Sequence, residues 1–304
     1  MTAPLVLALP GNEPWAAALA GAIGAELGAM RVRRFPDGER YVRLDTPVAG
    51  RSVVLACTLR DPDEHVLALC FAAAAARDLG AARIGLVAPY LAYMRQDARF
   101  RPGEAITSVT FGALLSSVFD WLATVDPHLH RHHALAEVYR VPATAVSAAP
   151  AIADWVRREQ PDALLVGPDE ESAQWATAVA AAAGLPWVVL TKSRHGDRDV
   201  EITAPELAVW RDCTPVVVDD IVSTAGTMAA VVARLRAAGL RAPVCVGVHA
   251  VFAPGAAEAL VAAGAARVVT CDTIPHPTNA IGVLPLLAPA VSTWARIATP
   301  QDAG

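Results

Sequence analysis

Lysine is almost missing. Of the 25 Lys and Arg residues in this 304-residue chain, one is lysine, Lys192, and 24 are arginine. Long apolar runs are missing too. None reaches the roughly 18 residues that a bilayer-spanning helix needs, so no membrane segment is expected. The opening stretch MTAPLVLALPGNEP has no basic region before its short apolar run, and it reads as a first buried strand rather than a secretion signal. Paired cysteines are absent: Cys57, Cys70, Cys213, Cys245 and Cys271 are odd in number, scattered, and never spaced CxxC. That pattern argues against a disulfide framework or a zinc knuckle and for reduced thiols in a cytoplasmic protein. Excess positive charge is absent as well. A net charge of −5 excludes the broad basic footprint that a nucleic-acid partner demands.

What is present is apolar and alanine-rich: 54% hydrophobic against 18% charged residues, enough to bury a large core. The length suggests two domains at about 100–200 residues each. Short apolar runs alternate with longer helix-like stretches. Strands are expected at Leu5–Leu9, Val53–Cys57, Ile84–Ala88, Leu122–Val125, Leu164–Gly167, Val188–Leu190, Val216–Asp219, Val244–His249 and Val268–Cys271. Helices are expected at Pro14–Leu27, Asp63–Leu79, Thr107–Phe119, Ile152–Glu159, Glu171–Ala183, Thr224–Ala238, Gly255–Ala263 and Val283–Ile297. Strands apolar throughout and separated by helices predict an α/β fold whose mainly parallel sheets are covered on both faces. Residues 140–150 have a linker-like composition and divide the chain into two α/β halves. The first domain is placed at 1–146, with the C-terminal helix 284–304 as its candidate addition, and the second at 147–283.

The clearest chemistry lies in Thr214–Val231, TPVVVDDIVSTAGTMAAV. A buried strand ends in Asp219 and Asp220. The small residues Ser223, Thr224, Ala225, Gly226 and Thr227 then lead into a helix. Such a turn aims several main-chain N–H groups, and the positive end of a helix dipole, at one spot. It suits a phosphate monoester. The two carboxylates just before it can accept hydrogen bonds from vicinal hydroxyls or hold hydrated Mg²⁺. Phosphate plus diol indicates a sugar phosphate; the plainer alternative is a helix cap with solvated carboxylates.

This segment resembles the phosphoribosyl diphosphate motif of phosphoribosyltransferase-fold proteins. Within that superfamily the chain is similar to the ribose-phosphate pyrophosphokinases from end to end. The segments that carry the likeness are Phe35-Pro36-Asp37-Gly38-Glu39, Pro89–Asp97 (PYLAYMRQD), Glu104–Thr107, Thr124–His128, Gly167–Asp169, Lys192–Arg194 and Asp272–Pro275. The resemblance implies two domains of phosphoribosyltransferase type and an enzyme that moves the diphosphoryl group of ATP onto the C1 hydroxyl of ribose 5-phosphate. It implies that Asp219, Asp220 and the loop Ser223–Thr227 hold ribose 5-phosphate together with Arg194. Phe35, Asp37, Gly38, Glu39, Arg95 and Gln96 would hold ATP. His128 and Asp169 would ligate Mg²⁺, the expected cofactor. Lys192 and Arg194 would be catalytic, on a polar, glycine-bearing segment (Ser193–Asp199) able to close over the reacting phosphates. In this family the FPDGE loop often serves a neighbouring subunit's site, which implies a homo-oligomer, a dimer or a hexamer built from dimers.

Four departures from the family pattern stand out. Ser223 occupies a position where many members carry Asp, and Ala225 one where many carry Gly. Residues 167–172 lack the paired glycines that often follow this Asp, and Pro127 precedes His128. The residues His128, His130, His132 and His133 raise the alternative of a transition-metal site, since 128, 130 and 132 share a face if extended. Two functional alternatives also stand: a phosphoribosyltransferase, which leaves FPDGE, Arg95-Gln96 and His128 without a role, and a non-catalytic regulatory homologue.

Overall fold

The computed structural model describes residues 3–170, 172–195, 199–203 and 207–297, with the backbone alone at 191–195 and 199–203. The chain divides into two compact units, Met1–Val146 with Leu284–Gly304, and Ser147–Val283.

The first unit runs β1 (Leu5–Ala8), α1 (Glu13–Ile23), β2 (Glu26–Leu27), β3 (Met30–Arg34), β4 (Arg40–Leu44), β5 (Ser52–Ala56), α2 (Val66–Asp78), β6 (Arg83–Ala88), α3 (Thr107–Val118), β7 (Trp121–Val125) and β8 (Ala143–Val146). Its sheet has the order β2-β1-β5-β6-β7-β8 with every pairing parallel. The central strands are buried along their length because helices cover both faces, which is why they read as unbroken apolar runs. Gly85 has a packing reason: a Cβ there would lie 2.0 Å from the ring of the fully buried Trp121.

The helix Leu284–Arg296 joins this unit. Trp294 Nε1 donates to Thr144 Oγ1 at 2.9 Å, and Arg296 Nη2 donates to the Ile23 carbonyl at 2.7 Å. A guanidinium on the last carbonyls of α1 satisfies acceptors that the helix leaves open and complements its dipole.

The second unit runs α4 (Ala149–Glu159), β9 (Ala163–Gly167), α5 (Ala173–Ala183), β10 (Trp187–Val189), β11 (Thr191–His195), β12 (Asp199–Thr203), β13 (Thr214–Ile221), α6 (Gly226–Ala237), β14 (Val244–His249), α7 (Ala256–Ala262), β15 (Arg267–Cys271) and β16 (Asn279–Ile281). Its sheet, β10-β9-β13-β14-β15-β16, is again parallel throughout.

Two local expectations are corrected. The helix expected over Pro14–Leu27 stops at Ile23, because Gly24 takes φ 63° as a left-handed cap and residues 26–27 then pair with β1. The linker-like stretch 140–150 contains β8, the edge strand paired with β7, and the start of α4. The segment around FPDGE is the tip of the β3–β4 hairpin. Of the polar stretch 193–199, residues 193–195 and 199 belong to a two-stranded antiparallel ribbon, β11 with β12, and the rest lies outside the described residues.

All five cysteines are free thiols. Burial pushes Cys57 and Cys245 up to about 12, so they stay protonated and inert at neutral pH. Among the described residues no helix is long and apolar enough to cross a membrane.

Candidate active site

In the second unit the chain leaves β9 for β10 on one side and returns to β13 on the other. The direction of winding therefore reverses between β9 and β13. In open α/β sheets a crevice forms outside the carboxyl ends of strands at such a switch. Asp169 follows β9 by two residues, and Asp219 and Asp220 stand near the end of β13. Three carboxylates thus meet at the switch point.

Their proximity shows in Asp219, whose carboxyl is pushed up to about 8 from an ordinary 3.8, first by burial and then by the charges of Asp220 and Asp169. Asp219 keeps part of its surface in solvent although its carboxyl is largely enclosed. Asp220 is buried, and its main-chain N–H donates to Asp219 Oδ1 at 3.0 Å. Asp169 Oδ1 accepts the N–H and the hydroxyl of Ser172, at 3.1 and 3.0 Å, which ties that carboxylate to the start of α5.

After β13 the backbone turns tightly. Ala225 takes φ 61°, the left-handed region that glycine enters without penalty and alanine at some cost. The first helical residue of α6 is Gly226, and no side chain caps this end. The leading N–H groups of a helix lack intrahelical partners, so an uncapped end preceded by small residues is suited to an anion.

The turn is stitched to its neighbour. Val222 N–H donates to the His249 carbonyl at 3.3 Å, and Ala253 N–H donates to the Ser223 carbonyl at 3.1 Å. His249 is buried; its Nδ1 lies 2.9 Å from Thr273 Oγ1, which itself donates to the Val248 carbonyl at 3.0 Å. Because the threonine proton is already committed, Nδ1 is the donor in the first contact. Gly247 lets Val222 close in, since a Cβ there would sit 2.6 Å from Val222 Cγ2. Gly247→Ala is therefore expected to move Val222 and the turn behind it. It should cost about 1–3 kcal/mol in thermal unfolding and weaken binding at the turn. An unchanged melting curve and unchanged binding would contradict that packing role. Gly247 and Val222 carried no signal beyond a glycine inside an apolar strand.

Lys192 and Arg194 lie on β11, where their backbones pair with Ile202 and Val200. Their side chains fall outside the described residues, as does Glu171.

The remaining candidates belong to the first unit. Phe35–Glu39 forms the hairpin tip: Gly38 takes φ 94°, Phe35 N–H donates to the Glu39 carbonyl at 2.8 Å, and Glu39 N–H donates to Asp37 Oδ1 at 3.1 Å. Phe35 is exposed. The Arg33 guanidinium lies 4.4 Å from its ring and 4.4 Å from that of Tyr41, so one aromatic face already meets a cation. Arg95 is exposed and Gln96 half-buried on the loop between β6 and α3. His128 lies just past β7, beyond Asp126 at φ 31°, with its ring 5.0 Å from that of His130. His132 faces Glu137 at 3.3 Å, and Glu137 also accepts the N–H of His133 at 3.1 Å. Among the described residues no three His, Cys, Asp or Glu side chains form a group that could hold a metal. The oxygen-rich trio at the switch point is nevertheless the hard donor chemistry that Mg²⁺ takes, and the raised Asp219 marks negative charge that a cation would relieve. Mg²⁺ keeps waters and substrate phosphates as ligands, so a full protein cage is not required.

Two parallel α/β units, with a phosphate-type turn at the switch point of the second, define the phosphoribosyltransferase class. The family described as the N-terminal domain of ribose phosphate pyrophosphokinase matches residues 5–118, and the phosphoribosyl transferase domain family matches residues 135–285. A ribose-phosphate pyrophosphokinase of Methanopyrus kandleri is 36% identical over 275 residues, which cover 90% of this chain and 93% of that protein. One from Methanothermobacter thermautotrophicus is 32% identical, covering 93% of this chain and 98% of that protein. The crystal structure of phosphoribosylpyrophosphate synthetase from Mycobacterium smegmatis shares the fold, with a TM-score of 0.80 at 22% identity over 96% of this chain and 98% of that one. The chain belongs to the ribose-phosphate pyrophosphokinase family of enzymes.

Proposed function

We propose that the protein transfers the β,γ-diphosphoryl group of ATP to the C1 hydroxyl of ribose 5-phosphate. The C1 oxygen attacks the β-phosphorus, the bond to the bridging oxygen of the α-phosphate breaks, AMP leaves with that oxygen, and the hydroxyl proton passes to solvent. The observation that carries this reading is the meeting of Asp219, Asp220 and Asp169 at the switch point with the uncapped, stitched turn 222–227. Main-chain N–H groups at the turn would take the 5-phosphate, helped by the hydroxyls of Ser223, Thr224 and Thr227. Asp219 and Asp220 would orient the ribose hydroxyls, and Arg194 would add positive charge beside the sugar phosphate. Phe35, Asp37, Gly38, Glu39, Arg95 and Gln96 would hold the nucleotide, and Lys192 would deliver charge to the oxygens that become more negative as the bond breaks. Asp169, one of the two residues the resemblance gives to Mg²⁺, would hold that cation at the switch point together with substrate phosphates, and the cation would neutralise the triphosphate. Ser223, in place of a frequent Asp, removes one negative charge next to an anion, which does not forbid phosphate binding.

Homo-oligomeric assembly belongs to the same proposal, since an exposed hairpin tip bearing Phe35 suits a site shared between subunits. So does a cytoplasmic location, in keeping with five free thiols.

Purified protein incubated with ATP, Mg²⁺ and ribose 5-phosphate is expected to give phosphoribosyl diphosphate and AMP in equal amounts by ³¹P NMR. Chelating Mg²⁺ should stop it. No turnover of these substrates would contradict the reading: formation of a nucleotide and pyrophosphate from phosphoribosyl diphosphate and a nucleobase would then favour a phosphoribosyltransferase, and no turnover in either assay a regulatory subunit.

A further inference from the structure

Between β5 and α2 the chain makes one short 3-10 turn, Pro62–Glu64. Its two acidic residues point to two different segments of the first unit. The carboxylate of Glu64 accepts from Arg34 and, at 2.6 Å, from Arg40 Nη2, while the Glu64 carbonyl also accepts from Arg40 Nη2 at 2.6 Å. Arg34 and Arg40 are the paired residues that close the hairpin below Phe35–Glu39. The neighbouring Asp63 carboxylate accepts the hydroxyl proton of Tyr93, two residues before Arg95. Tyr93 itself sits at φ 60°, a genuine outlier for a bulky side chain, with its ring 4.7 Å from that of Phe111 on α3. A strained backbone of this kind persists only where surrounding contacts hold it.

We infer that Asp63 and Glu64 are positioning residues: one turn sets both segments assigned to the nucleotide, the Phe35–Glu39 tip through Arg34 and Arg40, and the Arg95-Gln96 loop through Tyr93. This inference rests on the ATP assignment of those segments made above. Hydrogen bonds from Arg34 and then Arg40 hold Glu64 below the usual carboxylate range, so it stays ionised at working pH. The Asp63 bond raises the Tyr93 hydroxyl, which keeps its proton to donate. All these groups lie near the surface, where such pairs add little to folding stability. Their effect belongs in the placement of the nucleotide contacts, where small displacements are costly.

The test is steady-state kinetics on the full-length protein. Asp63→Ala, Tyr93→Phe and Glu64→Gln are each expected to raise KM for ATP about fivefold, roughly one lost hydrogen bond. KM for ribose 5-phosphate should stay within about twofold and the melting temperature within about 2 °C. Asp63→Asn keeps an acceptor oxygen and should behave as the parent. Asp63→Ala with Tyr93→Phe should be no worse than either alone, because both break one bond. Unchanged KM for ATP, equal rises for both substrates, or an Asp63→Asn defect equal to that of Asp63→Ala would overturn the inference. Arg95→Ala separates the two failures. If it leaves KM for ATP untouched, the nucleotide assignment falls and the positioning role with it; if it raises KM while Asp63→Ala does not, the positioning role alone falls.

Discussion

Lys192→Ala is expected to lower kcat by roughly 10³-fold while changing the dissociation constant for ATP less than about threefold. Diphosphoryl transfer leaves little covalent work for the protein, so rate comes from positive charge placed where oxygens gain charge in the transition state. A group that acts mainly there lowers turnover and leaves ground-state binding nearly intact. Composition singles out this position. In a chain with 24 arginines and one lysine, a cation needed only for solvation would be arginine. The compact ammonium differs from the planar guanidinium in size and hydration, so Lys192→Arg should recover only part of the lost rate. The measurement is single-turnover quench alongside equilibrium ATP binding. Collapsed ATP affinity with an intact single-turnover rate would show that Lys192 binds nucleotide rather than stabilising the transition state.

Asp219→Asn should separate stability from function in the opposite sense. The folded carboxyl sits near 8 and the unfolded one near its ordinary 3.8. Between those values the folded state holds a proton that the unfolded state has released. The stability that goes with it is complete below about 3.8 and is lost as pH rises through about 8. Asparagine removes the titration. In metal-free and ligand-free protein at pH 8 the variant is expected to melt about 2–4 °C above the parent, and the gap should close toward pH 4. Above pH 8, where the parent carboxyl is ionised, its affinity for ribose 5-phosphate should fall about tenfold to 100-fold, because charge-assisted bonds to the sugar hydroxyls become neutral ones. A variant melting below the parent at pH 8 would mean that the carboxylates are not crowded, and retained affinity would remove Asp219 from the sugar site.

The sheet strands and most helices were legible because strands covered on both faces must be apolar throughout, as Leu5–Ala8 and Val244–His249 are. What escaped was structure with little apolar patterning. The hairpin Met30–Leu44 has one half-buried face and no fully buried residue, although its Pro36-Asp37-Gly38 turn and alternating residues carried a usable signal. Ala143–Val146 is an edge strand, and its small residues read as linker. The carboxylates at the end of β13 were legible because charge after a buried strand is costly and therefore conspicuous. Asp63 and Glu64 were not. Their partners lie about 30 residues away on either side, through Arg34, Arg40 and Tyr93, and only tertiary geometry brings them together.

The most direct measurement is a crystal structure of the protein soaked with ribose 5-phosphate and Mg²⁺. The expected result is density for the phosphate against the main-chain N–H groups of residues 224–227, with the ribose hydroxyls on Asp219 and Asp220. The sugar phosphate bound elsewhere while this turn stays empty would contradict the assignment of the site.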